Sequence, residues 1–361
     1  MNAVPRLIVA GLLILAGAFP AAARKKSRSK PAPIGKAQVE AATRLQVFLD
    51  RANFTPGRID GGYNDFTWKA LALYRESRGE QPQASPPPRH GSQRNVAPDV
   101  NGLDLGSIDP VFIPYTVTET DLESVAKLPR GVAEKAKMKF LPYGSAGDAI
   151  AEKFHTDIHF LEHLNAGKMK NIKAGNELTV PNVEPFELSS VKDIQPGSET
   201  SEQAANDIDY QAETQTPIPA ESAGPRRNIS VKIDIKTNML GVFDSEKLIA
   251  AYPVAVGSAR NASPIGDWKV RGISKLPRFR YDKEMLERGE RSGNFYMLPP
   301  GPRNPVGVMW IALNKKGIGI HGTDDPASIG HAVSHGCIRL ANWDVARLAT
   351  KIKTGDSVSI H

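Results

Sequence analysis

The chain has 361 residues, of which 40% are hydrophobic and 24% are charged, an ordinary globular composition. This composition excludes a wholly disordered chain, a collagen and a polytopic membrane protein, and the length suggests two or three domains. The formal net charge of +7 fits an anionic polymer as a partner. The single cysteine, Cys337, excludes an intramolecular disulfide and any site that needs two thiolates.

Residues 1–23 have the pattern of a secretory signal peptide. Arg6 supplies the charged start, residues 7–19 form an apolar run, and Ala21 and Ala23 flank a small-residue cleavage site. The apolar run is shorter than the ~18 residues expected of a membrane span. The sequence therefore predicts an exported protein of the periplasm or cell wall without stable membrane insertion. An uncleaved membrane anchor is the alternative.

Residues 35–79 predict a small helical domain, and residues 80–100 predict a Pro-rich linker after it. Three segments, 45–49, 56–61 and 67–74, resemble the small helical peptidoglycan-binding domains. Those domains combine a Leu-Gln-x-Phe-Leu helix, a Pro-Gly-x-Ile-Asp-Gly turn and a Thr-x-x-Ala-Leu helix. The resemblance implies peptidoglycan as a ligand, and a helical adaptor with no ligand is the alternative.

Residues 112–182 predict a second small unit, of α+β type, with a short strand at 115–117, a helical stretch and a closing strand. Segments 147–151 and 172–181 resemble a degenerate LysM repeat, a unit that binds glycan strands. The helical and α+β units would together precede the chemistry-bearing part of the chain as two wall-binding-like modules.

Three histidines of this unit, His155, His159 and His163, are spaced four residues apart. On one helix they would share a face, and imidazoles at that spacing can chelate zinc. The pattern lacks the glutamate of a His-Glu-x-x-His arrangement. A solvated polar face is the preferred interpretation, and no metal is predicted.

Residues 183–226 predict an acidic disordered linker. The stretch 183–224 holds nine acidic residues against one base, Lys192, with too few apolar residues for a core. Basic folded domains joined by an acidic linker are consistent with a protein that binds an anionic cell-wall polymer. Nucleic acid would also fit the basic balance, but export and the lack of a recognisable binding motif argue against it.

Residues 227–361 predict a mainly β domain. Residues 229–235 alternate between apolar and polar, which is typical of a half-buried strand. A late helix is expected to begin at a capping Asn342. Many short strands with one late helix indicate a sandwich or a partial barrel. Residues 272–303 break this rhythm and predict a lid over a cleft.

Segments 320–323 and 334–339 are rich in histidine and glycine, and the second contains the lone thiol of Cys337. A cysteine nucleophile needs a neighbouring base, and a loop between His321 and Cys337 can bring the two side chains together. Gly336 permits close backbone approach beside the thiol. A buried, inert cysteine with incidental histidines, among them His331, is the alternative.

These segments, together with 264–268 and 298–307, resemble the YkuD-type L,D-transpeptidase catalytic domain (the ErfK/YbiS/YcfS/YnhG-like group), whose signature is a histidine, a spacer and Ser/Thr-His-Gly-Cys. The resemblance implies a β-sandwich and a two-step acyl transfer. Cys337 would attack a peptidoglycan tetrapeptide stem, expel D-alanine, and pass the acyl group to a second stem as a 3→3 cross-link. No metal or organic cofactor is implied.

The resemblance also implies roles for the neighbouring residues. His321 would be the general base and acid, with its ring oriented by the backbone carbonyl of Gly322. Ser334 and Arg339 would be possible substrate contacts. The oxyanion hole would consist of the backbone N–H groups of His335, Gly336 and Cys337.

Several alternatives remain at the level of sequence. The acceptor could be a lipoprotein, a D-amino acid or water instead of a stem peptide. The chain could also be a non-catalytic wall-binding scaffold. Deleting residues 24–182 is expected to weaken binding to wall sacculi and to spare chemistry on small muropeptides.

Overall fold

The structure, a computed structural model, describes residues 35–81, 96–194, 228–259, 261–288, 291–315, 317–334 and 336–361. The predicted signal at 1–23 lies outside the described residues, as does most of the acidic linker. All described residues belong to one compact unit. Within those ranges, none of the helices combines the length and the apolar character needed to cross a bilayer.

The predicted helical domain forms two helices, α1 (Lys36–Arg51) and α2 (Asp65–Ser77). The buried side chain of Gln46 on α1 ties the intervening turn together: its Nε2 donates to Asp60 Oδ1 at 2.8 Å, and its Oε1 accepts from the Gly61 N–H at 3.0 Å. The motif that carries the peptidoglycan-binding resemblance thus has an internal structural role here.

The α+β unit follows the predicted strand–helix–strand order. Its two strands, β1 and β2, are antiparallel neighbours, and four short helices lie between them in the chain. The elements are β1 (Phe112–Thr116), α3 (Glu119–Glu123), α4 (Val132–Ala136), α5 (Ala146–Lys153), α6 (Ile158–Leu164) and β2 (Glu177–Pro181).

The three histidines of this unit do not share one helical face. His155 lies in the turn between α5 and α6, with a positive φ of 53°, and is buried. His159, on α6, is exposed and lies beside Glu162. Because the helix is interrupted between His155 and His159, the four-residue spacing does not align them, and the predicted shared polar face is wrong.

The C-terminal domain is mainly β, as predicted. Its largest sheet has eight strands in the order Ile338–Arg339 (β13), Gly319–His321 (β11), Met309–Leu313 (β10), Gly266–Lys275 (β7), Ser357–Ile360 (β14), Ile229–Asp234 (β3), Met239–Asp244 (β4) and Lys247–Pro253 (β5). Strand β7 joins the two halves: residues 266–269 pair with β14 and residues 270–275 pair with β10. One apolar core includes residues from both halves and from the late helix. The two predicted layers are therefore halves of one curled sheet.

The strands and helices of this domain are short except for β7. They are β3 (Ile229–Asp234), β4 (Met239–Asp244), β5 (Lys247–Pro253), β6 (Val256–Gly257), β7 (Gly266–Lys275), β8 (Phe279–Tyr281), α7 (Lys283–Arg288), β9 (Tyr296–Leu298), β10 (Met309–Leu313), β11 (Gly319–His321), β12 (Ala332–Ser334), β13 (Ile338–Arg339), α8 (Asn342–Ala349) and β14 (Ser357–Ile360).

The first part of the predicted linker is ordered and packs on the catalytic domain. Residues Leu188–Asp193 form a 3₁₀ turn, and Val191 is fully buried in the core of the β domain. Lys275 Nζ donates to the Ile194 carbonyl at 3.2 Å. The linker prediction was therefore wrong for 183–194, because a few apolar residues there reach a core that other elements supply.

The helical unit covers the outer edge of the eight-stranded sheet. Ala251 on the edge strand β5 donates its N–H to the Asn53 carbonyl at 2.9 Å, and its carbonyl accepts from the Thr55 N–H at 2.9 Å. These bonds satisfy backbone groups that an exposed edge would leave open to pairing with another chain.

A buried charge cluster joins all three parts of the described chain. The Asp50 carboxylate of α1, fully buried, accepts from Arg347 Nη2 of α8 at 3.0 Å and lies 3.0 Å from His155 Nδ1 of the α+β unit. Arg347 and His155 hold the pKa of Asp50 below its usual range in spite of burial. The predicted separate modules are thus docked through a desolvated ion pair.

Candidate active site

The register of β11 and β13 brings the predicted base and nucleophile to one face of the sheet. The two strands are parallel, with Ile320 beside Ile338 and His321 beside Arg339. Extending this register by one residue beyond the paired strand would place Cys337 beside Gly319. Since side chains two residues apart in a strand share a face, His321 and Cys337 are expected to be diagonal neighbours, with Cα atoms ~8 Å apart by ideal sheet spacing.

His321 is buried and held by a backbone carbonyl and an indole ring. Its Nδ1 donates to the Gly322 carbonyl at 2.6 Å, and its ring stacks on Trp310 with centroids 5.2 Å apart. The pKa of His321 falls to about 3, first because burial penalises the imidazolium and second because Arg339 is positively charged nearby; the hydrogen bond to Gly322 opposes both. The imidazole is therefore neutral at pH 7, with Nε2 as its basic nitrogen.

The Cys337 thiol is partly exposed and donates to the Gly317 carbonyl at 3.5 Å. Desolvation raises its pKa, while a hydrogen bond from the Gly319 backbone and the charge of Arg339 act in the opposite direction. With the pKa of His321 lowered and that of Cys337 raised, the resting pair is a thiol and a neutral imidazole. Such a pair is suited to transfer the thiol proton to the imidazole while the sulfur attacks, and less suited to exist as a thiolate–imidazolium ion pair before attack.

Arg339 lies beside His321 on the same face of the sheet and is half-buried. Its Nε atom is buried and has no hydrogen-bond partner among the described residues. A guanidinium whose Nε lacks a partner among the described residues, beside the predicted nucleophile, is suited to a carboxylate ligand.

The remaining predicted site residues differ in how far the structure describes them. Gly336 has a φ of +104°, a conformation that favours glycine directly before the nucleophile. Ser334 ends β12, which pairs with β6. His335 lies outside the described residues.

Asn342 does not cap α8 with its side chain, contrary to prediction. Ala341 is the residue before the helix, and the Asn342 side chain instead accepts from the Val308 N–H at 3.1 Å. The amide thus fixes the backbone next to Gly322, since a side chain at Gly322 would lie 2.2 Å from Asn342 Oδ1.

Sequence reasoning missed Trp310, which stacks on His321. The signal was available in the alternation of β10, where Trp310 falls on the face opposite the core residue Ile311. Gly319 makes room for the indole: a Cβ at this position would approach Trp310 Cζ2 to 2.6 Å. Gly319, two residues before His321, is therefore a packing requirement of the site.

The predicted lid is partly strand and partly hairpin. Residues 272–275 belong to β7, and a hairpin of β8 and β9 follows, with α7 between them. Arg280 lies over the Phe295 ring at 3.9 Å. Phe295, Tyr296 and Met297 are exposed, so this hairpin presents an apolar surface to solvent. Closure over the thiol stays a prediction.

Comparison with known proteins matches the L,D-transpeptidase catalytic domain to residues 228–360. The chain is 34% identical over 135 residues to a Bacillus subtilis protein named as L,D-transpeptidase YqjB, covering 36% of this chain and 69% of that protein. It is 32% identical over 130 residues to Bacillus licheniformis YkuD, covering 36% of this chain and 64% of that one. The match thus spans just under two thirds of the YkuD relative.

Among solved structures, the catalytic domain of the Enterococcus faecium L,D-transpeptidase is 18% identical and is covered completely, over 38% of this chain, with a TM-score of 0.30. L,D-transpeptidase 3 of Mycobacterium tuberculosis is 16% identical over 37% of this chain and 60% of that one, with a TM-score of 0.31. The sequence relatives, not these distant structures, decide the family. Through residues 228–360, the chain belongs to the YkuD family of L,D-transpeptidases.

Proposed function

We propose that the protein is a cysteine acyltransferase that cuts peptidoglycan tetrapeptide stems and forms 3→3 cross-links. The observation that carries the proposal is the β11–β13 register, which pairs His321 with Arg339. Cys337, two residues before Arg339, is therefore expected on the same face of the sheet as His321. The hydrogen bond from His321 Nδ1 to the Gly322 carbonyl supports it, because it leaves Nε2 as the nitrogen that accepts a proton.

In the first half-reaction the Cys337 sulfur attacks the carbonyl of the third stem residue, and its proton passes to His321 Nε2. The carbonyl oxygen becomes an oxyanion, for which the backbone N–H groups of Gly336 and Cys337, with that of His335, are the candidate donors. The tetrahedral intermediate then collapses: the C–N bond to D-alanine breaks, and His321 returns the proton to the leaving amine. A thioester remains on Cys337.

In the second half-reaction an amine of another stem attacks the thioester. His321 takes a proton from that amine, the C–S bond breaks, and the thiol is restored as the new amide forms. We assign Arg339 to a carboxylate of the stem peptide, in keeping with its buried Nε that has no partner among the described residues.

The cellular setting is part of the same proposal. The signal-like residues 1–23 support export to the periplasm or cell wall, where stem peptides are found. Residues 35–79 and 112–182 would contact the wall polymer as wall-binding-like modules.

The test is mass spectrometry of the mature protein mixed with disaccharide-tetrapeptides, with Cys337→Ala as the matched variant. We expect an adduct on Cys337 that has lost one D-alanine, followed by a tetrapeptide dimer lacking one D-alanine. Cys337→Ala should give neither product and should bind wall sacculi as the wild type does.

Other outcomes are equally decisive. An adduct without a dimer would mean that the acceptor is a protein amine, a D-amino acid or water. Equal turnover by Cys337→Ala, or no adduct on a folded wild-type protein, would reject the enzyme in favour of a wall-binding scaffold. A carbapenem such as imipenem should acylate the same cysteine and provides a second probe.

A further inference from the structure

The position of the His321 ring depends on the Gly322 carbonyl, and Gly322 is itself tightly packed. A Cβ on Gly322 would lie 2.2 Å from Asn342 Oδ1 and 3.1 Å from Gly307 Cα. No side chain larger than a hydrogen fits there, so a shift of the Asn342 amide would move the backbone that carries the carbonyl.

Asn342 is fully buried and its amide orientation is determined by its partners. Oδ1 accepts from the Val308 N–H at 3.1 Å, so Nδ2 must be the donor on the other side. Nδ2 donates to Glu152 Oε1 at 2.8 Å and to the Pro302 carbonyl at 3.3 Å. The shorter of these two bonds goes to a residue 190 positions earlier in the chain.

Glu152 belongs to α5 of the α+β unit, outside the matched family domain of 228–360. It is only 3% exposed, and its Oε1 also accepts from the Tyr143 hydroxyl at 2.9 Å. Its Oε2 has no hydrogen-bond partner among the described residues. Burial raises the pKa of Glu152 to about 7, opposed by the charge of Arg303 and by the bonds from Asn342 and Tyr143. The Glu152 carboxyl is buried, which is unfavourable for its charged form, and its Oε1 accepts from both Asn342 and Tyr143. These hydrogen bonds hold the two donors in place.

The surrounding contacts tie this part of the α+β unit to the site. The Leu141 N–H donates to the Pro300 carbonyl at 2.8 Å, and the Leu141 carbonyl accepts from the Arg303 N–H at 3.2 Å. Arg303 also lies 3.4 Å from Asp148 Oδ1. The acceptor for Asn342 is therefore held by an extended interface and not by one side chain.

We propose that Glu152 is a positioning residue for His321, acting through Asn342 on the Gly322 carbonyl, so that the α+β unit is a working part of the active site. The proposal rests on the proposed function for the chemistry that His321 performs. It implies that an element outside the family domain controls the tautomer and orientation of the catalytic base.

The test compares Glu152→Leu, Glu152→Gln and wild type by two readouts. Long-range ¹⁵N NMR of the labelled histidines reports the His321 tautomer, assigned by its loss in His321→Gln. The rate of Cys337 acylation by imipenem, followed by mass spectrometry, reports the reactivity of the pair. Glu162→Leu, at an exposed position of the same unit, is the matched control.

For the wild type we expect the Nδ1–H tautomer and for Glu152→Leu a mixture of tautomers. The same variant should acylate roughly 10- to 100-fold more slowly, the range expected when a catalytic group is displaced by about 1 Å. Turnover of disaccharide-tetrapeptides should fall in kcat with little change in KM. Glu152→Gln, which keeps an oxygen acceptor, should restore most of both signals.

Tyr143→Phe keeps the packing and removes one donor to Oε1, so it serves if Glu152→Leu does not fold. It should give a smaller shift of the same kind. An unchanged tautomer and acylation rate in the folded Glu152 or Tyr143 variants would overturn the proposal, as would Glu152→Gln being as impaired as Glu152→Leu. A tautomer shift in a protein inactive on stems would instead uphold the positioning role and reject the proposed function.

Discussion

Among the described residues, two histidines are buried, and they have closely similar settings but different partners. His321 stacks on Trp310 with ring centroids 5.2 Å apart, and His155 stacks on Trp343 at the same distance. Each has its Nδ1 atom in a hydrogen bond. At His321 the partner is a backbone carbonyl, whereas at His155 it is the carboxylate of Asp50.

We expect the difference in partner to separate a reactive histidine from a structural one. Burial lowers the pKa of both histidines, and it is the first cause in each case. The neutral Gly322 carbonyl orients the His321 ring but does not stabilise a positively charged imidazolium as a carboxylate would. Nε2 therefore remains the basic nitrogen on the side of the thiol. The carboxylate at His155 is already shared with Arg347, which makes that cluster a charge-paired joint between units.

Of the two buried histidines, His321 should have the larger effect on chemistry. His321→Ala should slow imipenem acylation of Cys337 by about 10²- to 10⁴-fold, the usual contribution of a general base. The measurement is the rate of adduct formation by mass spectrometry. His331→Ala is the control, because His331 is exposed and lies in the same region of the chain. Similar rates for the two variants would remove His321 from the mechanism.

Breaking the joint should have the largest effect on stability. Asp50→Ala leaves Arg347 and His155 buried without their carboxylate, a change that typically costs about 3–5 kcal/mol in the free energy of unfolding. Urea denaturation measures this. The exposed His159→Ala should change the free energy by less than about 0.5 kcal/mol. A mild effect of Asp50→Ala would show that the units are held by apolar packing alone.

Asp344, which lies near Asp50 and Arg347 of the same cluster, should make stability depend on pH, with a smaller effect than the loss of Asp50. Burial and the nearby Asp50 charge raise the pKa of Asp344 to about 8, opposed by Arg347 and Thr55. The folded state therefore binds a proton that the unfolded state releases near pH 3.9. The stability this proton contributes is complete below that pH and is lost as pH rises through 8. The contribution of Asp344 should therefore fall between pH 5 and pH 8, and Asp344→Asn should flatten this part of the profile relative to wild type, measured by urea denaturation. The lowered pKa values of His155 and His321 act in the opposite direction in both proteins.

The joint also changes what is expected of a truncated chain. Sequence reasoning treats the first two units as separable modules whose removal spares the chemistry. In the folded chain, removal of 35–194 would uncover Trp343 and the edge of β5, and would leave Arg347 without Asp50. A fragment starting at 228 is therefore expected to lose stability and the Glu152 contact together.

Local sequence patterns predicted much of the β domain. The alternation of β3 is observed as buried Ile229, Val231 and Ile233, because a half-buried strand repeats every two residues. The strand–helix–strand order of the α+β unit was predicted in the same way. The three histidines failed as a pattern because a turn at His155 interrupts the helical repeat. The local signal for this break was Asp157, whose side chain caps α6 by accepting from the N–H groups of His159 and Phe160.

The sequence by itself determined the family domain and predicted the pairing of His321 with Cys337, since both residues lie in short segments rich in glycine and histidine. Only the tertiary structure decided which other residues support them. Asp50 meets His155 across 105 positions and Arg347 across 297, and Glu152 meets Asn342 across 190. Such contacts depend on how separate units dock, and neither periodicity nor turn chemistry records that docking.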